Sequence, residues 1–149
     1  MSLRSPQEAD TRVSDPDGVI DRDALLAAAW RAREQAYAPY SGFAVGAAVL
    51  GASGRVFAGA NVENASYGLT ICAERVAITA AVSAGERRIA ALAVVTGASQ
   101  PTPPCGACRQ VLWEFGPEAE VVVENRRGER RRWTARELLP EAFDSGRLA

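Results

Sequence analysis

Three cysteines and one glutamate stand out as residues that could do chemistry together. Cys105-Gly106-Ala107-Cys108 has the spacing of a metal clamp, and Cys72 lies one helix, one strand and one loop upstream. Glu74 follows Cys72 by two residues. A closed structural zinc site uses four protein ligands, whereas three leave a position open to water. Zinc can lower the pKa of such water from 15.7 to about 7, so the ligand count favours a catalytic site over a structural one. Other readings exist for each residue. Cys105 and Cys108 could be a redox pair, and any buried cysteine can serve as a small hydrophobe. Glu74 could simply favour a helix start, or could close the fourth metal position in a non-enzymatic zinc module. A carboxylate in a buried first turn beside a metal-activated water is also placed to shuttle protons.

Composition narrows the alternatives. The chain has 149 residues, the length of one domain, and 48% of them are apolar. All 17 basic residues are arginine, and there is no histidine. That removes Ser-His-Asp and Cys-His machinery, lysine Schiff bases and the phosphate-loop lysine. Any metal must be held by Cys, Asp, Glu or backbone oxygen. A net charge of −1 argues against nucleic-acid or membrane-surface partners. The polar stretch after Met1 predicts no export signal, and no apolar run approaches a membrane span. An odd number of cysteines without an export signal points to a reduced, cytoplasmic setting.

The elements that must position these residues read as follows. Residues 1–20 lack periodicity and are expected to form a disordered or loosely docked arm, with one domain over 21–149. Asp21 is an N-cap for a helix over 22–37, with Leu26, Ala29, Trp30 and Tyr37 on one stripe. Strands are expected at 43–50 and 55–62, with a turn at Ala52-Ser53-Gly54 and a loop over 63–70. The apolar run from Cys72 to Ala84 is a buried helix ended by Gly85. Ile89–Thr96 is a central strand, apolar on both faces. A proline-rich loop leads to a helix over 106–115, with Cys108, Val111, Leu112 and Phe115 on one face. Strands at 119–124 and 130–133 follow, and Thr134 caps a short helix over 135–139 stopped by Pro140. This order makes a sheet with helices on its faces, an α/β fold. Arg126, Arg127, Arg130, Arg131 and Arg132 fall in the last hairpin among Glu124 and Glu129 and read as a solvated surface.

The combined pattern Cys72-Ala73-Glu74 with Pro104-Cys105-x-x-Cys108 resembles the zinc nucleobase deaminases. Cysteine at the first position resembles the small, all-cysteine cytidine deaminases. Tyr40-Ser41-Gly42-Phe43-Ala44-Val45-Gly46-Ala47-Ala48, Asn61-Val62-Glu63-Asn64-Ala65-Ser66-Tyr67-Gly68 and Leu138-Leu139-Pro140-Glu141-Ala142-Phe143 look like that family's other motifs. The resemblance spans roughly residues 20–145 and implies a three-layer α/β/α sandwich around a central mixed five-stranded sheet. It implies one Zn²⁺ per subunit on Cys72, Cys105 and Cys108, with Glu74 as the proton shuttle. It implies that Arg75 donates to the ligand sulfurs and that Asn61 and Glu63 hold the ribose. Phe43 and Phe143 would pack against the pyrimidine, although Phe43 reads equally well as a core residue. Phe143, and with it Tyr67, would cross a subunit boundary in a homotetramer. The implied reaction converts cytidine and 2′-deoxycytidine to uridine and 2′-deoxyuridine with release of ammonia, a step of pyrimidine salvage. A deaminase of another cytosine nucleoside such as blasticidin S shares the metal motif. A polynucleotide deaminase would need a basic channel and aromatic platforms that this composition does not supply.

Overall fold

The computed structural model describes residues 19–148. Its helices are α1 (Arg22–Arg33), α2 (Ala73–Ser83), α3 (Gly106–Phe115) and α4 (Ala135–Leu138). Its strands are β1 (Val45–Gly51), β2 (Val56–Ala60), β3 (Ile89–Thr96), β4 (Glu120–Glu124) and β5 (Arg130–Thr134). They form one sheet in the order β2-β1-β3-β4-β5. β3 and β4 run parallel and the other pairs antiparallel, so the sheet is mixed, as expected.

Side chains alternate across a strand, and here both faces are buried. Ala47 and Val49 of β1, Leu92 and Val94 of β3, and Val121 and Val123 of β4 enter one core with Ala77 and Ile78 of α2 and Leu112 of α3. Their neighbours Ala48, Leu50, Ala91, Ala93, Val95 and Val122 enter a second core with Leu25, Leu26 and Ala29 of α1. The result is the three-layer α/β/α sandwich. The arm expected at 1–20 falls almost wholly outside the described residues; Ile20 packs against the second core.

Local chemistry sets the element ends. The Asp21 carboxylate accepts from Ala24 N at 3.0 Å and starts α1. α1 stops at Arg33 rather than continuing to Tyr37. The Tyr37 N–H donates to Asn61 O and its carbonyl accepts from Glu63 N, so residue 37 pairs beside the end of β2 instead of closing a helical turn. Tyr37 is therefore not on the buried stripe of α1. β1 begins at Val45, not Phe43, because the Asn61 side chain takes the place of the ladder there. Its Oδ1 accepts from Val45 N and its Nδ2 donates to Phe43 O. α2 ends before Gly85, whose φ of +104° suits a residue without a Cβ. Thr134 and Glu137 form a reciprocal capping box at α4.

The arginines of the last hairpin are mostly paired. Arg130 bridges Glu124 and Asp23, Arg132 reaches Glu120, and Arg131 lies over the Trp133 ring. These partners come from α1 and the sheet, so much of the cluster braces the fold.

α1 lies close to β1 because Gly46 offers no side chain. A Cβ there would sit 2.0 Å from Ala29 O and 2.8 Å from Arg33 N, both backbone atoms. Gly46→Ala is expected to push α1 off the sheet and cost about 1–3 kcal/mol, as overpacking does. Urea denaturation would show this as a lower midpoint at an unchanged slope.

Candidate active site

α2 and α3 pack against each other on one face of the sheet and run back along it from the end where β3 finishes. Their N-termini therefore meet beside Thr96, the last residue of β3. Cys72 is the N-cap of α2 and Cys105 the N-cap of α3, and Cys108 lies in the first turn of α3. Neither N-cap sulfur makes a capping hydrogen bond, so neither is committed to a helix N–H group. Aligned helix dipoles at such a point favour thiolates.

The three sulfurs lie within 4.8 Å of one another. Cys72 and Cys105 are 4.0 Å apart, and Cys105 and Cys108 3.5 Å. Tetrahedral zinc with Zn–S near 2.3 Å requires sulfur–sulfur separations of about 3.8 Å. The donor set and its spacing therefore fit zinc held by three thiolates. All three cysteines are free thiols. The sulfurs share protons unequally. Hydrogen bonding with Cys108, with the Arg75 guanidinium adding to it, holds the Cys72 thiol down to about 5. The same contact with Cys72, together with burial, pushes Cys108 well up. Arg75 Nη2 donates to Cys72 Sγ at 3.6 Å. Arg75 Nε is buried without a partner.

Glu74 is 4% exposed. Burial raises its pKa, and the charge on Cys72 adds to the rise. The side chain opens onto a cavity of about 250 Å³, next to Cys72 and Cys105. Phe43, Asn61 and Glu63 line the same cavity, so the structure gathers eight of the ten expected site residues at or beside one cleft, Cys108 adjoining through the sulfur cluster and Arg75 through Cys72.

Two side chains are already engaged. Asn61 spends its carbonyl on Val45 N and one amide hydrogen on Phe43 O, leaving one N–H for a ligand. Glu63 accepts from Tyr40 N, Ser41 N and the Ser41 hydroxyl, and these contacts hold its carboxyl below the ordinary range. Tyr67 and Phe143 do not line this cavity. Tyr67 is 74% exposed, its ring edge against Tyr40 at 5.9 Å, and Phe143 is 59% exposed.

The structure adds residues that sequence reasoning did not select. Ser41 orients Glu63, and Thr96, Thr102 and Pro103 also line the cleft. The hydroxyls of Thr96 and Thr102 lie 3.1 Å apart. Ser41 sits inside a motif already quoted, whereas nothing in the spacing of the two threonines announces their meeting. Arg109, adjacent to Cys108, donates from Nε to Pro104 O and from Nη1 to Leu138 O. Gln110 Nε2 donates to Phe143 O at 2.7 Å. α3 thus holds both the residue before Cys105 and the C-terminal segment.

Comparison with known proteins agrees with this geometry. Residues 20–124 match the family model described as the cytidine and deoxycytidylate deaminase zinc-binding region. A cytidine deaminase from Halalkalibacterium halodurans is 53% identical over 125 residues, covering 83% of this chain and 95% of that protein. One from Mycobacterium tuberculosis is 48% identical over 124 residues, covering 83% and 90%. Among solved structures, a cytidine deaminase from Burkholderia pseudomallei is 56% identical with a TM-score of 0.79, covering 81% of this chain and 98% of that one. The crystal structure of the Mycobacterium tuberculosis enzyme gives 46% and 0.73, covering 84% and 98%. The chain belongs to the cytidine and deoxycytidylate deaminase family.

Proposed function

We propose that this protein is a zinc-dependent hydrolase that deaminates cytidine and 2′-deoxycytidine to uridine and 2′-deoxyuridine, releasing ammonia and returning the base to pyrimidine salvage. The observation that carries this reading is a buried carboxylate, Glu74, opening onto the same cleft as three sulfurs at zinc spacing.

Cys72, Cys105 and Cys108 would hold the zinc. When bound there, zinc supplies Lewis acidity that makes water nucleophilic near neutral pH. Three thiolates outweigh the charge of Zn²⁺ by one, and the Arg75 guanidinium against Cys72 offsets that excess. Glu74 takes the proton of the attacking water and delivers it to N3 of the cytosine ring. It then assists protonation of the departing amino group at C4. A carboxyl whose pKa is raised by burial can hold that proton between the two transfers. The remaining N–H of Asn61 and the carboxylate of Glu63, fixed by Ser41, face the sugar, the second as a pure acceptor. Phe43, 42% exposed at the cleft, packs against the base.

The active unit is a homotetramer. Phe143 and Tyr67 are large, exposed and outside their own cleft, which suits residues that complete a neighbour's site. Gln110 and Arg109 fix the segment that presents Phe143. Three reduced thiols suit a cytoplasmic setting, and among the described residues no helix is long and apolar enough to cross a membrane.

Two measurements test this reading. Glu74→Gln is expected to keep one zinc per subunit while ammonia release from cytidine falls by at least ~10²–10⁴-fold, the range for a lost general acid–base. Loss of zinc in that variant would instead make Glu74 a ligand. Phe143→Ala is expected to raise KM for cytidine while leaving zinc content unchanged, and light scattering should report a tetramer for the wild type. A fully active monomer would remove the shared-site reading.

A further inference from the structure

One wall of the cleft is built on the loop over residues 97–104, which supplies Thr102 and Pro103. Among the described residues, no loop or turn hydrogen bond between backbone groups involves residues 97–104. Side chains hold the loop instead. Its first end is tied by Thr96, whose hydroxyl accepts from Ala98 N and meets Thr102. Its last end is tied by Arg109 through Pro104 O, directly before Cys105. Between them the carbonyl of Ser99 accepts at 2.9 Å from Nδ2 of Asn125, the residue directly after β4.

Asn125 is 0% exposed, and both its amide oxygen and its amide nitrogen are engaged. Its Oδ1 accepts from Arg127 N and Glu129 N, each at 3.0 Å, closing the turn between β4 and β5. One buried amide therefore joins that turn to the loop forming the cleft wall. An ionised carboxylate of the same shape could not do this, because it only accepts, whereas the amide presents acceptor and donor at its two ends. The loop is also closely packed on that side: a Cβ on Gly97 would lie 2.9 Å from Arg126 Nη2 and 2.8 Å from Arg33 Nη2. The turn thus rests against the loop at residue 97 as well as at residue 99.

We infer that Asn125 is a positioning residue for the substrate, setting the Thr102–Pro103 wall of the cleft through its hydrogen bond to Ser99. This rests on the deaminase reading above. Because Arg109 fixes the Cys105 end separately, loss of the Asn125 bond moves the substrate wall and leaves the metal end in place.

Asn125→Asp is the sharpest test. The carboxylate keeps both acceptor bonds to the turn, loses the donor, and faces the Ser99 carbonyl with its own oxygen. In the full-length protein, KM for cytidine is expected to rise about three- to tenfold, the worth of one hydrogen bond. The kcat per zinc should stay within about twofold, because one tether lost at the wall leaves the reacting groups untouched. Asn125→Ser retains an acceptor for the turn but cannot span to Ser99; it carries the same expectation if the aspartate variant does not fold. A merely structural role would reduce the active fraction, lowering kcat at constant KM, and that result overturns the inference. So would unchanged kinetics, or failure of both variants to fold. A wild type inert on cytidine would sink the deaminase reading and this inference with it. An active wild type beside an unshifted variant sinks the inference alone.

Discussion

The constraint on which the rest depends is the meeting of two helix N-termini at the end of one central strand. β3 and β4 are parallel, so the chain leaving β3 must cross back before it can enter β4. α3 makes that crossing, and α2 enters β3 from the same side of the sheet. Both helices start at the end where β3 stops. Cysteine as N-cap on each, with a third one turn into α3, then suffices to put three sulfurs within 4.8 Å. The site needs no long insertion. It follows from topology together with two cysteine caps whose sulfurs are not spent on capping bonds.

That arrangement has an electrostatic consequence. Sulfur anions gathered in a half-buried cluster repel one another, and the helix ends alone supply only partial positive charge. Arg75 adds a full one at 3.6 Å from Cys72. Glu74, its neighbour in sequence, meets the opposite environment, where burial and thiolate charge both disfavour ionisation. Adjacent residues at the start of one helix thus face different demands. The arginine side chain reaches round to the sulfurs, while the carboxyl turns into the cleft. A single turn of α2 holds the proposed proton carrier and the proposed charge compensator with no further scaffold.

Much of the fold was legible because its signals are local. The unbroken apolar run of β3, the Asp21 and Thr134 caps and the Gly85 stop each depend on residues within a few positions. The cysteine spacing was legible because helix-strand-helix geometry converts it into proximity. What escaped depends on contacts distant in sequence. Nothing near Tyr37 reports that Asn61 O awaits its N–H and draws the chain out of α1. Asn61 has the residue type of a ligand contact, yet most of its hydrogen-bonding capacity secures β1. Asn125 reads as an ordinary turn residue, and its bond to Ser99 spans 26 positions. Arg130 and Arg132 belong to a basic cluster in sequence but to carboxylates of α1 and β4 in space.

These hidden contacts share a pattern that explains how a small chain can keep a precise cleft. The strands and helices are fixed by apolar packing on two faces, which needs no specific polar pairing. The cleft walls are loops, and loops gain little from that packing. Each wall is instead held by one polar side chain reaching a backbone group or carboxylate: Asn61 to residues 43 and 45, Ser41 to Glu63, Arg109 to residues 104 and 138, and Asn125 to residue 99. A buried donor or acceptor left unmatched costs more than a matched one contributes, so each tether admits few alternatives. Precision at the cleft comes from these few polar tethers, while the apolar sandwich supplies the stability on which they are mounted.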